Sequence, residues 1–93
     1  MSYKILFTKR ADREYKDLQR SGMKSVVAKA TRLLLEMKDT PRKGGGKPEI
    51  LRHYLGKEVW SRRLDKKNRM VYEIRDGEII VLVLSVTGHY DDK

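Results

Sequence analysis

Apolar residues recur at helical spacing in the first half of this chain and in strand-like runs in the second. Tyr3 to Phe7 combines aromatic and β-branched residues and predicts a short strand. Thr8 is a good helix N-cap, and Ala11, Tyr15 and Leu18 follow at the spacing of one helix face, with Gly22 placed to end that helix. Met23, Val26, Val27, Ala30, Leu33, Leu34 and Met37 form the apolar stripe of a second helix, with lysines and arginines on its other face. Pro41 disfavours helical geometry at Thr40 and stops it. The basic, glycine-rich segment Arg42 to Lys47 reads as a flexible loop; no Lys-Ser/Thr follows its glycines, so it is not a nucleotide P-loop.

Four strands are expected after it: Ile50 to Leu55, Val59 to Leu64, Arg69 to Arg75 and Glu78 to Val86. Turns at Gly56-Lys57 and Asp65 to Asn68, and a hairpin at Asp76-Gly77, separate them. The apolar run in the last strand suggests burial on both faces. The order predicts a single α+β domain over residues 1–93: an N-terminal strand, two helices, then a four-stranded antiparallel meander with the helices packed on one face.

Charge changes the picture from fold to partner. The 93 residues carry a formal net charge of +9, which favours an anionic partner such as nucleic acid, an acidic protein segment or a membrane face. The chain has no cysteine and two histidines, which excludes disulfides and thiolate zinc sites and argues against a multi-histidine metal site, so neither metal nor cofactor is expected. The N-terminus lacks a signal-peptide core and the longest apolar run, Ile79 to Leu84, is too short to cross a bilayer, so a soluble cytoplasmic protein is expected.

The candidate chemistry lies between Lys47 and Arg69, with the chain's end. Alternation puts Trp60, Arg62 and Leu64 on one strand face and Ser61 and Arg63 on the other. Trp60 and Leu64 read as core, as do Met70, Tyr72 and Ile74, so Arg63 and Arg69 would share the open face. Glu49, a lone carboxylate among Lys47, Arg52 and His53, can handle a proton beside a phosphate, and His89-Tyr90 could supply the complementary acid. Arginines at such a site hold phosphate bidentately and offset charge in a transition state. Each residue also has a plainer reading: Glu49 as a loop carboxylate paired with a lysine, Arg62 and Arg63 as solvated strand charges, His53 and His89 as ordinary histidines. Three functions remain open from the residues: a ribonuclease, a non-catalytic basic module that binds RNA or DNA, and an inactive subunit that matters through an acidic partner.

In Gly46-Lys47-Pro48-Glu49, Leu55, Trp60-Ser61-Arg62-Arg63, Arg69-Met70-Val71-Tyr72 and His89-Tyr90 the chain resembles the YoeB/Txe toxins of the RelE-like toxin–antitoxin superfamily. The resemblance implies a microbial-ribonuclease-like fold and a ribosome-dependent endonuclease that cuts mRNA in the ribosomal A site without metal, inhibiting translation. It implies a cognate antitoxin of the YefM/Axe kind with an acidic C-terminal segment, and leaves room for a homodimer. By matching position, Glu49 resembles the general base, His89 the general acid, Arg69 the arginine that stabilises phosphorane charge, Arg63 a supporting phosphate contact and Tyr90 the tyrosine that orients the substrate. Lys47 and Arg52 are expected to help bind it. Arg52 stands where a lysine is common, Asn68 where a histidine can occur, and Asp91-Asp92-Lys93 extend beyond the His-Tyr pair.

Overall fold

The computed structural model describes residues 2–86. Its elements run β1 (Lys4–Phe7), α1 (Lys9–Arg20), α2 (Lys24–Met37), β2 (Glu49–Leu51), β3 (Glu58–Arg63), β4 (Arg69–Arg75) and β5 (Ile80–Ser85). The strands form one five-stranded sheet in the order β1-β5-β4-β3-β2. Neighbours from β2 to β5 are antiparallel, the expected meander, and β1 adds to its far edge parallel to β5, with Lys4 opposite Ile80 and Phe7 opposite Val83.

Local chemistry explains the boundaries. Thr8 caps α1 by accepting the Ala11 N–H at 3.0 Å, and its own N–H continues the β1–β5 ladder to the Val83 carbonyl. One residue thus ends a strand and starts a helix. Both helices pack on the same sheet face. Ala11 and Leu18 from α1, and Val26, Ala30, Leu33 and Met37 from α2, meet Met70, Tyr72 and Ile74 of β4, Val81 and Val83 of β5, and Leu64. Leu33 and Met37 are fully buried, each contributing about 1.5–3 kcal/mol relative to exposure. Phe7 stacks on Tyr15 at 5.8 Å between ring centroids, and the Tyr15 and Thr31 hydroxyls join the helices at 2.7 Å.

Three expectations need correction. The strand expected from Ile50 to Leu55 is only Glu49–Leu51, and its continuation is a turn in which Leu55 is 94% exposed. The expected hairpin at Asp76-Gly77 does join β4 to β5 antiparallel, but its connection is longer than a two-residue turn: a single 3-10 turn, Asp76–Glu78, is closed by Ile79 in the left-handed region at φ 56°, its N–H bonded to the Asp76 carbonyl. The last strand is not buried on both faces; Val81, Val83 and Ser85 are buried while Ile80, Leu82 and Leu84 are half-buried. Among the described residues no helix is long and apolar enough to cross a membrane.

Candidate active site

Strand pairing brings the central candidates to one end of the sheet. Glu49 opens β2 and lies opposite Ser61 of β3. Two residues further along β3, Arg63 lies opposite Arg69, the first residue of β4. Like charges placed directly across a ladder destabilise it, so the pair favours an anion held between them. The Glu49 carboxylate approaches from the neighbouring strand, with Oε1 3.9 Å from Nη1 of Arg69. Their side chains are 66% and 43% exposed, so the contact adds little to stability and leaves both groups accessible to a ligand. Further along this face Val59, Ser61, Val71 and Glu73 are buried.

The turn before β4 sets Arg69. Asp65 accepts the backbone N–H of Asn68 at 2.6 Å and that of Lys67 at 2.8 Å, and the Asn68 side-chain amide also reaches it. These bonds, led by the Asn68 N–H, hold the Asp65 carboxyl below its ordinary range. The Leu64 N–H closes the turn on the Asn68 carbonyl at 2.8 Å. Asn68, where the resemblance allows a histidine, thus serves as a turn residue.

The approach to Glu49 is equally constrained. Gly46 lies on β3, its carbonyl accepting the Arg63 N–H at 2.7 Å. It has φ 77°, and a Cβ there would meet the Arg63 carbonyl oxygen at 2.9 Å, so this position requires glycine. Lys47 follows at φ 51°, left-handed for a residue with a side chain. It is exposed, as is Arg52 in the turn after β2, so the two basic residues bracket Glu49 in the chain. His89 and Tyr90 lie outside the described residues. Among the described residues no three histidine, aspartate or glutamate side chains cluster so as to hold a metal ion.

Arg62 overturns the reading of it as a solvated charge. Its side chain is 0% exposed. Nε donates to the Tyr72 hydroxyl at 3.0 Å; Nη1 donates to Glu36 Oε1 at 3.0 Å and to the Gly45 carbonyl at 3.4 Å. Nη2 donates to the carbonyls of Thr40 at 2.7 Å and Lys43 at 2.9 Å. Glu36 also accepts the Gly45 N–H at 2.9 Å, and that bond is the main reason its carboxyl lies below the ordinary range, the Arg62 guanidinium adding to it. The pleat had already put Arg62 beside Trp60 and Leu64; sequence gave no sign that a loop would fold over it or that Glu36 would pair with it.

Comparison with known proteins identifies the family of the chain. A family model described as YoeB-like toxin of bacterial type II toxin-antitoxin system matches residues 7–90. Toxin YoeB of Streptomyces coelicolor is 34% identical over 79 residues, 85% of this chain and 92% of its own length. The YoeB dimer from Staphylococcus aureus superposes with a TM-score of 0.80 at 31% identity, covering 97% of this chain and 100% of that one. A YoeB-YefM complex from the same organism gives a TM-score of 0.76 at 32% identity, with the same coverage of 97% and 100%. The chain belongs to the YoeB-like toxins of bacterial type II toxin–antitoxin systems.

Proposed function

We propose that this toxin is a metal-independent endoribonuclease that cuts mRNA in the ribosomal A site and so inhibits translation. The observation that carries the reading is the juxtaposition of Glu49, Arg69 and Arg63 at one accessible end of the sheet. A phosphodiester between the two arginines would relieve their mutual repulsion and lie within reach of the carboxylate. Glu49 takes the proton of the ribose 2′-hydroxyl as that oxygen bonds to phosphorus. The bond from phosphorus to the 5′-oxygen breaks, and His89 gives its proton to the leaving oxygen. Arg69, supported by Arg63, offsets charge on the phosphorane. Lys47 and Arg52 contact the flanking backbone, and Tyr90 orients the substrate. The products are a 2′,3′-cyclic phosphate and a 5′-hydroxyl.

The toxin acts in the cytoplasm and is silenced by an antitoxin whose acidic C-terminal segment covers the basic face around Arg63, Arg69 and His89. The YoeB-YefM complex of the S. aureus relative supports a partner of this kind, and that organism's YoeB dimer supports self-association. Primer extension on a translated message tests the chemistry. Glu49→Gln and His89→Gln should each lower cleavage about 100- to 10,000-fold while leaving the fold intact. Near-normal cleavage by both variants would overturn the roles given to Glu49 and His89, and absence of cleavage by the parent protein would return the chain to the class of non-catalytic RNA-binding modules.

A further inference from the structure

The Arg62 network has no part in the chemistry proposed above, yet it is the most elaborate polar arrangement among the described residues. One guanidinium gathers three carbonyls from a single loop, those of Thr40, Lys43 and Gly45. The loop's other anchors converge on the same point. The Gly45 N–H bonds Glu36, and the Tyr72 hydroxyl, which accepts from Arg62, donates to the Pro41 carbonyl at 2.7 Å. Every residue from Pro41 to Gly45 that contributes a backbone group here is therefore tied to α2, β3 or β4.

The loop leads straight into the site. Immediately after Gly45, Gly46 bonds the backbone of Arg63, Lys47 turns left-handed, and after Pro48 the chain enters β2 at Glu49. β2 has only three paired residues to hold it, Glu49, Ile50 and Leu51. So short an edge strand cannot fix its first side chain alone; the entry from the loop must do so. Building on the proposed function, we propose that Arg62 is a positioning residue. From inside the core it fixes the Thr40–Gly46 loop and thereby sets the Glu49 carboxylate against Arg69.

A lysine at this position keeps the charge, but a single ammonium cannot span donors directed at Tyr72, Glu36 and three carbonyls. The test is single-turnover cleavage on preformed ribosome–mRNA complexes, with toxin in excess and its concentration varied. The parent protein, Arg62→Lys, Glu36→Ala and Glu49→Gln are compared. Loss of folded protein alone raises the half-saturating concentration and leaves the plateau rate unchanged. Displacement of Glu49 lowers the plateau, by roughly 10- to 100-fold for a misplacement of about 1 Å, and leaves half-saturation within about twofold. We expect the second pattern for Arg62→Lys and, more weakly, for Glu36→Ala. Glu36 is half-buried at the outer edge of the clamp, its side chain 34% exposed, and alanine suits a helix, so that variant decides the question if Arg62→Lys does not fold. An unchanged plateau in the folded variants overturns the positioning role. Normal cleavage by Glu49→Gln overturns the proposed chemistry instead, so the two failures are distinct.

Discussion

Arg62 and Arg63 are adjacent on one strand and carry the same charge, yet the pleat sends them into opposite environments. Arg62 enters the helix-side core, where all its donors meet protein acceptors. Arg63 stays exposed beside Arg69, with a like charge as its cross-strand neighbour. The buried guanidinium must have its partners, because a charge withdrawn from water without them costs several kcal/mol. The exposed one is left in an unfavourable pairing that an anionic ligand would relieve. Residue type and net charge therefore say little about an arginine's role here; the strand face it occupies says most.

The largest expected difference between the two is in stability. Arg62→Ala should cost about 3–5 kcal/mol, since Glu36 loses its counter-charge, three loop carbonyls lose their donor and the space of a buried side chain is left in the core. Arg63→Ala should stay within about 0.5 kcal/mol of the parent while weakening cleavage. Urea denaturation and primer extension on the same preparations would measure both, and a similar stability loss in the two would erase the contrast. A smaller effect, about 1–3 kcal/mol, is expected for Tyr72→Phe, which leaves the Pro41 carbonyl and the Arg62 Nε–H without their shared partner. Chemical denaturation reads this loss directly, and an unchanged midpoint would mean that the hydroxyl is dispensable to the clamp.

The smallest effect is set by pH. The Glu36 carboxyl lies below its ordinary value in the folded protein, first through the Gly45 N–H and then through Arg62. Its contribution is thus complete above that ordinary value, roughly 4.3 to 4.5, and is lost as pH falls through the lower folded value. Glu58, held down first by Arg42, and Asp76, held down first by Tyr3, add the same sign elsewhere on the surface. Melting temperatures measured from pH 7 to pH 3 should fall, and less steeply in Glu36→Gln. Equal slopes would show that the clamp carboxylate does not govern this limb.

Much of the architecture could be read from local patterns. Thr8 marked the start of α1, the apolar stripe from Met23 to Met37 marked α2, and alternation placed Trp60, Leu64, Met70, Tyr72 and Ile74 toward the helices, where Leu64, Met70, Tyr72 and Ile74 are buried and Trp60 is half-buried. The parallel pairing of β1 with β5 could not be read, because hydrophobic periodicity does not name a strand's partner. β2 was overestimated because Leu55 looks like strand and is in fact exposed. At the site, Glu49, Arg63 and Arg69 were picked out by residue type and strand face, and the geometry draws those three to one end of the sheet. The buried clamp was not anticipated, since a carboxylate on α2 and carbonyls from a glycine-rich loop become its acceptors only once the loop has folded over β3.

The pairing of Lys4 with Ile80 has a consequence for the order in which this molecule is made. Of the described strands β1 is made first, and the strand it docks on is made last. The helices and the β3–β4 ladder join segments close in sequence and can form early, while closure of the sheet waits for β5 and bears the entropy of so distant a contact. A chain interrupted before Ile80 keeps all its proposed catalytic residues up to Arg69 and still cannot complete the sheet that carries them. The finished sheet thus forms only once β5 has been made.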